Sequence, residues 1–272
     1  MTESTQNNAT QTSASVEGSK AILGMMYNES NPTIELFTRP AIDVWNGKTT
    51  MDQVKRDRRI SGTNGFDKFL RKVHNMEDAI RKDDPYADKY YFLCEQLLNE
   101  RRVQLSSMAE TLNELMAQSH ARLTLPTPKM ATTFIAEIKD QSRLGFQCVE
   151  LLLAADDAIA KSQEAFHYAR ISKREKDDFV YQAKRAVRGV LDVVRHYSYC
   201  EVTRDDMAAN NASARRAKER MGELESSYLN GELRSEFAPV LPKRRRNTLA
   251  SESNQPEEKN AIEATQTNES AA

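Results

Sequence analysis

The chain has 272 residues, of which 29% are charged and 7% aromatic, with a formal net charge of −1. That length holds one large domain or two small ones, its longest apolar stretches, such as 149–155, fall far short of a membrane span, and its polar N-terminus lacks the layout of a signal peptide, so a cytoplasmic protein without membrane contact is expected. Three separated cysteines (Cys94, Cys148 and Cys200) and four single histidines (His74, His120, His167 and His196) form neither a disulfide framework nor a metal-type spacing, so buried thiols are expected and no metal or cofactor.

The charge is uneven. Residues 1–30 carry Glu3, Glu17 and Glu29 against one lysine, and residues 247–272 carry five glutamates against Lys259. The remainder is positive, but four of its charges sit in the run Lys243-Arg244-Arg245-Arg246. Without that run the body is near neutral, so any nucleic-acid face must be a local patch. Residues 1–19 are rich in Ser, Thr, Asn and Gln, and both they and the acidic 247–272 segment bury too little apolar surface to offset ordering entropy. Both are expected to be disordered tails flanking a folded body over 30–240.

In chain order, Thr33-Ile34-Glu35-Leu36-Phe37-Thr38-Arg39 alternates with period two and reads as a strand. Pro40 opens a short helix over 41–45, which Asn46-Gly47 ends. A basic segment follows, with Lys55, Arg56, Arg58 and Arg59 among Asp52 and Asp57. The apolar residues Phe66, Phe69, Leu70, Val73, Met76 and Ile80 predict a helix from 65 to 82. Asp84-Pro85 starts a long helix to about 120, forming a hairpin with the one before it. Pro126 and Pro128 mark a connector, after which 131–138 is a second β-like run of imperfect alternation. Helices are expected over 141–168, over 173–197 behind the capping box Ser172-Lys173-Arg174-Glu175, and from Thr203 to about Tyr228 as one piece. Within the last, the run 208–212 is made of small residues suited to close helix approach.

The fold class expected is mainly α: a helical body with a short β-ribbon. A lone strand cannot satisfy its own backbone, so 33–39 needs a partner from this chain or from a second copy. A paired ribbon on a helical body is one way to read the DNA major groove. If Ile34 and Leu36 face the helices, then Thr33, Glu35 and Arg39 face outward, where Arg suits guanine, Glu the cytosine amino group and Thr several partners. Phe37 on that face suits a wedge or a packing contact better than a wet groove. Lys55, Arg56, Arg58 and Arg59 are candidates for phosphate contact, and the 243–246 run for further sequence-independent affinity. No Gly-rich phosphate loop, nucleophile elbow or His-Glu-x-x-His is present, so no catalytic residue is assigned and an enzyme is not expected. Paired carboxylates such as Asp83-Asp84, Asp156-Asp157 and Asp205-Asp206 read as caps or solvated faces.

Several segments, in order over roughly 33–240, resemble the AcaB-like family of transcriptional regulators from conjugative plasmids and integrative conjugative elements. They are Thr33 to Thr38 with Trp45-Asn46-Gly47-Lys48, Asp83-Asp84-Pro85-Tyr86-Ala87-Asp88, Leu144-Gly145-Phe146, Thr203-Arg204-Asp205-Asp206 through Asn211, and Phe237-Ala238-Pro239. The resemblance implies a ribbon-helix-helix type binder of double-stranded promoter DNA. It would be a homodimer, activating conjugative transfer genes, with RNA polymerase as a candidate partner. A body of this size exceeds a compact ribbon-helix-helix, so most of it must do something else. The ribbon is expected from 33–39, with 132–139 as the alternative. The other functional reading is a helical accessory component of the conjugation machinery that binds proteins.

Overall fold

The computed structural model describes residues 30–47, 65–118, 122–126, 128 and 132–241. Among them are two strands and eight helices: β1 (Thr33–Leu36), α1 (Arg39–Asn46), α2 (Phe66–Arg81), α3 (Pro85–Ala117), β2 (Phe134–Glu137), α4 (Arg143–His167), α5 (Lys173–Arg195), α6 (Arg204–Ala209), α7 (Ala212–Met221) and α8 (Ser226–Leu229). The tails 1–19 and 247–272 and the basic 243–246 run lie outside the described residues.

The three longest helices, α3, α4 and α5, pack pairwise into a bundle, with α2 laid against all three. Leu98, Leu105 and Leu112 of α3, Leu144, Leu151 and Leu152 of α4 and Ala183, Val187 and Val190 of α5 are all buried between them. Spacings of three, four, seven or eight residues along each helix place these positions on one broad face. The expected α2–α3 hairpin forms, turning at Asp83 with φ 67. Seven residues either side of that turn region, the Tyr91 hydroxyl donates to Glu77 Oε1 at 2.8 Å, so the two helices lie side by side. Tyr91 also accepts from the Leu144 amide at 3.4 Å, joining the start of α4 to the pair.

Both β-like runs enter one antiparallel ribbon within a single chain. Thr33 pairs with Glu137, Ile34 with Ala136, Glu35 with Ile135 and Leu36 with Phe134. The choice between 33–39 and 132–139 therefore resolves to both, and β1 needs no second copy to satisfy its backbone. The strand is also shorter than 33–39. It stops at Leu36 because the Phe37 and Thr38 amides turn to Asp156 of α4, at 2.7 and 2.9 Å, and Thr38 caps α1 by accepting from the Ala41 amide.

The expected helix over 203–228 is broken into α6, α7 and α8. Asn210 adopts the left-handed conformation at φ 48, and Asn211 both donates to Asp206 Oδ1 at 2.6 Å and caps α7. Gly222 at φ 82 ends α7. The small-residue run 208–212 is this turn rather than a packing stripe, and Ala208, Ala209 and Asn210 are exposed. A lone Asn favours αL because its side chain can replace the lost backbone partner.

Candidate nucleic-acid interface

The ribbon lies against α4. Ile34 and Leu36 are 2% and 0% exposed and form part of the core, while Thr33, Glu35 and Phe37 point away from it, as period two requires. Arg39, first residue of α1, is exposed and pairs with Asp43 at 3.1 Å on the same helix. An exposed pair of this kind is weak and leaves the guanidinium available to a stronger acceptor. Across the ribbon, β2 contributes Ile135, 65% exposed, and Glu137 to the same outer surface. The face thus combines Thr33, Glu35, Glu137, Phe37 and Ile135, with Arg39 at one end. It offers groups suited to base edges and apolar contact, but little positive charge for phosphates.

Asp156 fixes this ribbon. Its carboxylate is 1% exposed and takes both amides at the β1–α1 junction, so it is not on a solvated face as its sequence suggested. Its neighbour Asp157 is exposed, and partial burial with the Asp156 charge beside it pushes its carboxyl up.

Lys55, Arg56, Arg58 and Arg59 lie outside the described residues. The two ends of their segment are adjacent, however. A Cβ at Gly65 would stand 2.7 Å from the Asn46 carbonyl oxygen and 2.9 Å from that of Trp45, so only glycine lets α2 begin against the end of α1. Trp45 stacks on Phe66 at 5.4 Å across the same junction. The segment therefore departs and returns one short helix, about 12 Å, from the end of β1.

Of the residues that carry the family resemblance, Thr33–Leu36 are β1 of the ribbon itself, and a second group gathers at the first turn of α3. Arg204 is 4% exposed and Asp88 is fully buried. Arg204 donates to Asp83 Oδ1 at 2.6 Å and to Asp88 Oδ2 at 2.5 Å, and its amide donates to the Asp83 carbonyl. Arg234 reaches the same Asp88 through two nitrogens, at 2.9 and 3.3 Å, and donates to the Pro239 carbonyl at 2.7 Å. One turn earlier, Asp84 caps α3 and accepts from the Tyr197 hydroxyl at 2.8 Å. Burial pushes the Asp84 carboxyl up, and burial beside Asp84 pushes the Tyr197 phenol far up. Tyr86 donates to the Gly222 carbonyl at 2.7 Å, and burial raises its phenol to about 12. Gly145, of another matching piece, leaves room for the Ser142 hydroxyl that caps α4, which would stand 2.4 Å from an added Cβ. Asp83, Asp84, Tyr86, Asp88, Tyr197, Arg204 and Arg234 form a largely buried clamp between the start of α3 and the segment 197–239.

Two clefts on the surface are basic, and the sequence reading did not single out either. One, of about 490 Å³, lies between α3 and α5 and is lined by Arg101, Gln104, Asp178, Tyr181, Gln182 and Arg185. The other, of about 350 Å³, lies between α7 and the irregular stretch 199–201, lined by Tyr199, Cys200, Glu201, Ser213, Arg216 and Arg220. Lys82 approaches the Tyr199 ring there, 5.7 Å from its centroid. Burial raises the Cys200 thiol, and the Arg220 charge beside it works the other way. The signal that points to this cleft is the arginine spacing in Ser213-Ala214-Arg215-Arg216-Ala217-Lys218-Glu219-Arg220: positions 213, 216, 217 and 220 share one helix face.

No helix of the described residues is long and apolar enough to cross a membrane. No curated protein and no solved structure matches the chain. The family model described as "Transcriptional regulator AcaB" matches residues 23–242, a span that takes in the ribbon, the bundle and the clamp. The chain belongs to the AcaB family of transcriptional regulators.

Proposed function

We propose that this transcriptional regulator is a sequence-specific activator that binds double-stranded promoter DNA of a mobile element and switches on its conjugative transfer genes. The observation that carries the reading is the ribbon. Two short antiparallel strands, about 5 Å apart, stand on a helical body with Thr33, Glu35 and Arg39 outward. A ribbon of that width fits the roughly 12 Å major groove. Thr33, Glu35 and Arg39 would meet base edges, while Lys55, Arg56, Arg58 and Arg59 would hold phosphates beside them. Because each chain completes its own ribbon, a homodimer would place two ribbons on two half-sites, about one helical turn apart. RNA polymerase is the partner through which such a dimer would activate, and the bundle is large enough to provide that contact.

The test is binding of the purified protein to tiled upstream regions of its own mobile element, at two salt concentrations, with random duplex as control. A discrete protected site with affinity well above random DNA supports the reading. Equal, weak binding to every tile, lost at the higher salt, contradicts it. That second outcome would favour a protein-binding accessory role, for which the exposed Ile135 and Phe37 of the ribbon face are the supporting observation.

A further inference from the structure

The ribbon face has a deficit. Its outward side chains include Glu35 and Glu137, and its end cation Arg39 is shared with Asp43. A DNA-binding protein needs several phosphate contacts, because these supply most of the sequence-independent affinity. Resting on the DNA-binding reading above, we infer that the outward basic face of α7, with Lys82 and Tyr199 beside it, is a second DNA-contacting surface that grips the phosphate backbone.

Four of the ten residues of α7 are basic: Arg215, Arg216, Lys218 and Arg220, against the single acid Glu219. Its inward stripe is minimal, with Ala214 and Ala217 buried and the longer side chains left toward solvent. Arg216 and Arg220 stand one turn apart, about 6 Å along the axis, on the wall of the 350 Å³ cleft. Neither forms an ion pair among the described residues, and Arg216 Nε reaches only the Ala212 carbonyl, at 3.3 Å. Two guanidinium groups beside a serine hydroxyl and an aromatic ring, with Glu201 the one acid of the lining, match the donors that take phosphate and sugar. A protein partner would call instead for an apolar anchor, and the ring of Tyr199 is the one large exposed apolar group lining this cleft.

α6 and α7 are joined by the two-residue turn at Asn210-Asn211. The buried clamp then has a purpose beyond folding. Arg204, at the first position of α6, is fastened to Asp83 and Asp88, and Gly222, just past α7, is fastened to Tyr86. Both ends of the α6–α7 unit are thereby pinned to the first turn of α3. A surface meant to meet phosphates at fixed spacing needs such a mount.

The experiment compares wild type with the double variant Arg216→Gln/Arg220→Gln by fluorescence anisotropy, on an operator duplex and on a random duplex, over a range of salt. Each phosphate contact contributes about 0.9 to the slope of log K against log salt, so the slope should fall by roughly 2. Affinity for both duplexes should fall together, roughly tenfold, with base preference unchanged. Affinity and slope equal to wild type on both duplexes would overturn the inference. So would unchanged DNA binding with loss of binding to polyglutamate, which would assign the face to an acidic protein segment. If wild type itself fails to prefer any operator, the function reading falls, while the variant's slope on random duplex still decides this face. The melting temperature of the double variant is the folding control, and Arg220→Gln alone, expected to lower the slope by about 1, serves if the double variant melts early.

Discussion

At the residue scale, the most consequential side chain is Asp88. It is fully buried and shared by two arginines that come from 116 and 146 residues away. Removing its charge leaves Arg204 almost buried and half-paired. Breaking such a network costs about 3–5 kcal/mol, so Asp88→Asn should lower the unfolding free energy by that order, and the denaturant midpoint with it, without changing the bundle's helix content. An unaltered midpoint would mean that the clamp contributes nothing net. Asp206 gives a pH signature. Hydrogen bonds from the Thr203 amide and hydroxyl, then from Asn211, hold its carboxyl below the usual value of 3.8. A group depressed on folding contributes stability above its unfolded pKa and loses it as pH falls through the folded one. Melting temperature should therefore drop more steeply below pH 3.8 in wild type than in Asp206→Asn, whose amide oxygen can still cap α6. Asp84 works in the opposite sense: burial raises its folded value, so the native state takes up that proton first and acidification eases its cost. Parallel acid limbs in wild type and Asp206→Asn would contradict this assignment.

At the scale of elements, the ribbon depends on one carboxylate. Asp156→Ala would leave the Phe37 and Thr38 amides without an acceptor, at a cost of about 2–4 kcal/mol. Hydrogen exchange at those two amides should then accelerate well beyond that of α4 and α5. Protection unchanged from wild type would show that the ribbon is held by Ile34 and Leu36 alone. The long helices were legible because period 3.6 was sustained over many turns, as at Leu98, Leu105 and Leu112, and because Pro85 and the Ser172–Glu175 box mark their starts. The outward set Thr33, Glu35 and Phe37 was legible from alternation alone. The breaks at Asn210 and Gly222 carry local stop signals, Asn-Asn and Gly, but the alanine-rich, helix-forming residues around them mask those signals in a one-piece helix. The pairing of β1 with β2 was hidden as well: the strands lie about a hundred residues apart, and the alternation of β2 is spoiled by Ile135, which is apolar yet exposed. Nor could spacing tell that Asp156 would be a buried latch while Asp157 stayed exposed.

For the whole molecule, the division of labour follows from burial and charge. A helical bundle supplies rigidity, a ribbon closed within one chain supplies an outward face of mixed chemistry, and a buried ionic clamp orients the basic α6–α7 unit. Removing 1–19 and 247–272 should leave the melting temperature of the 30–240 body unchanged, and a large fall on trimming would show that these segments pack on it. Replacing Arg58 and Arg59 with Ala should weaken binding to all sequences alike and reduce the salt slope by about 2. The central claim is that the ribbon reads sequence. Its most direct test is selection from a randomised duplex library by wild type and by Arg39→Ala, whose side chain stands outward at the ribbon's end. Loss of a specific base contact should cost roughly 1–3 kcal/mol, flattening the preference at one position per half-site and leaving the others intact. An identical preference at every position, with unchanged affinity, would remove Arg39 and the first strand from the reading role.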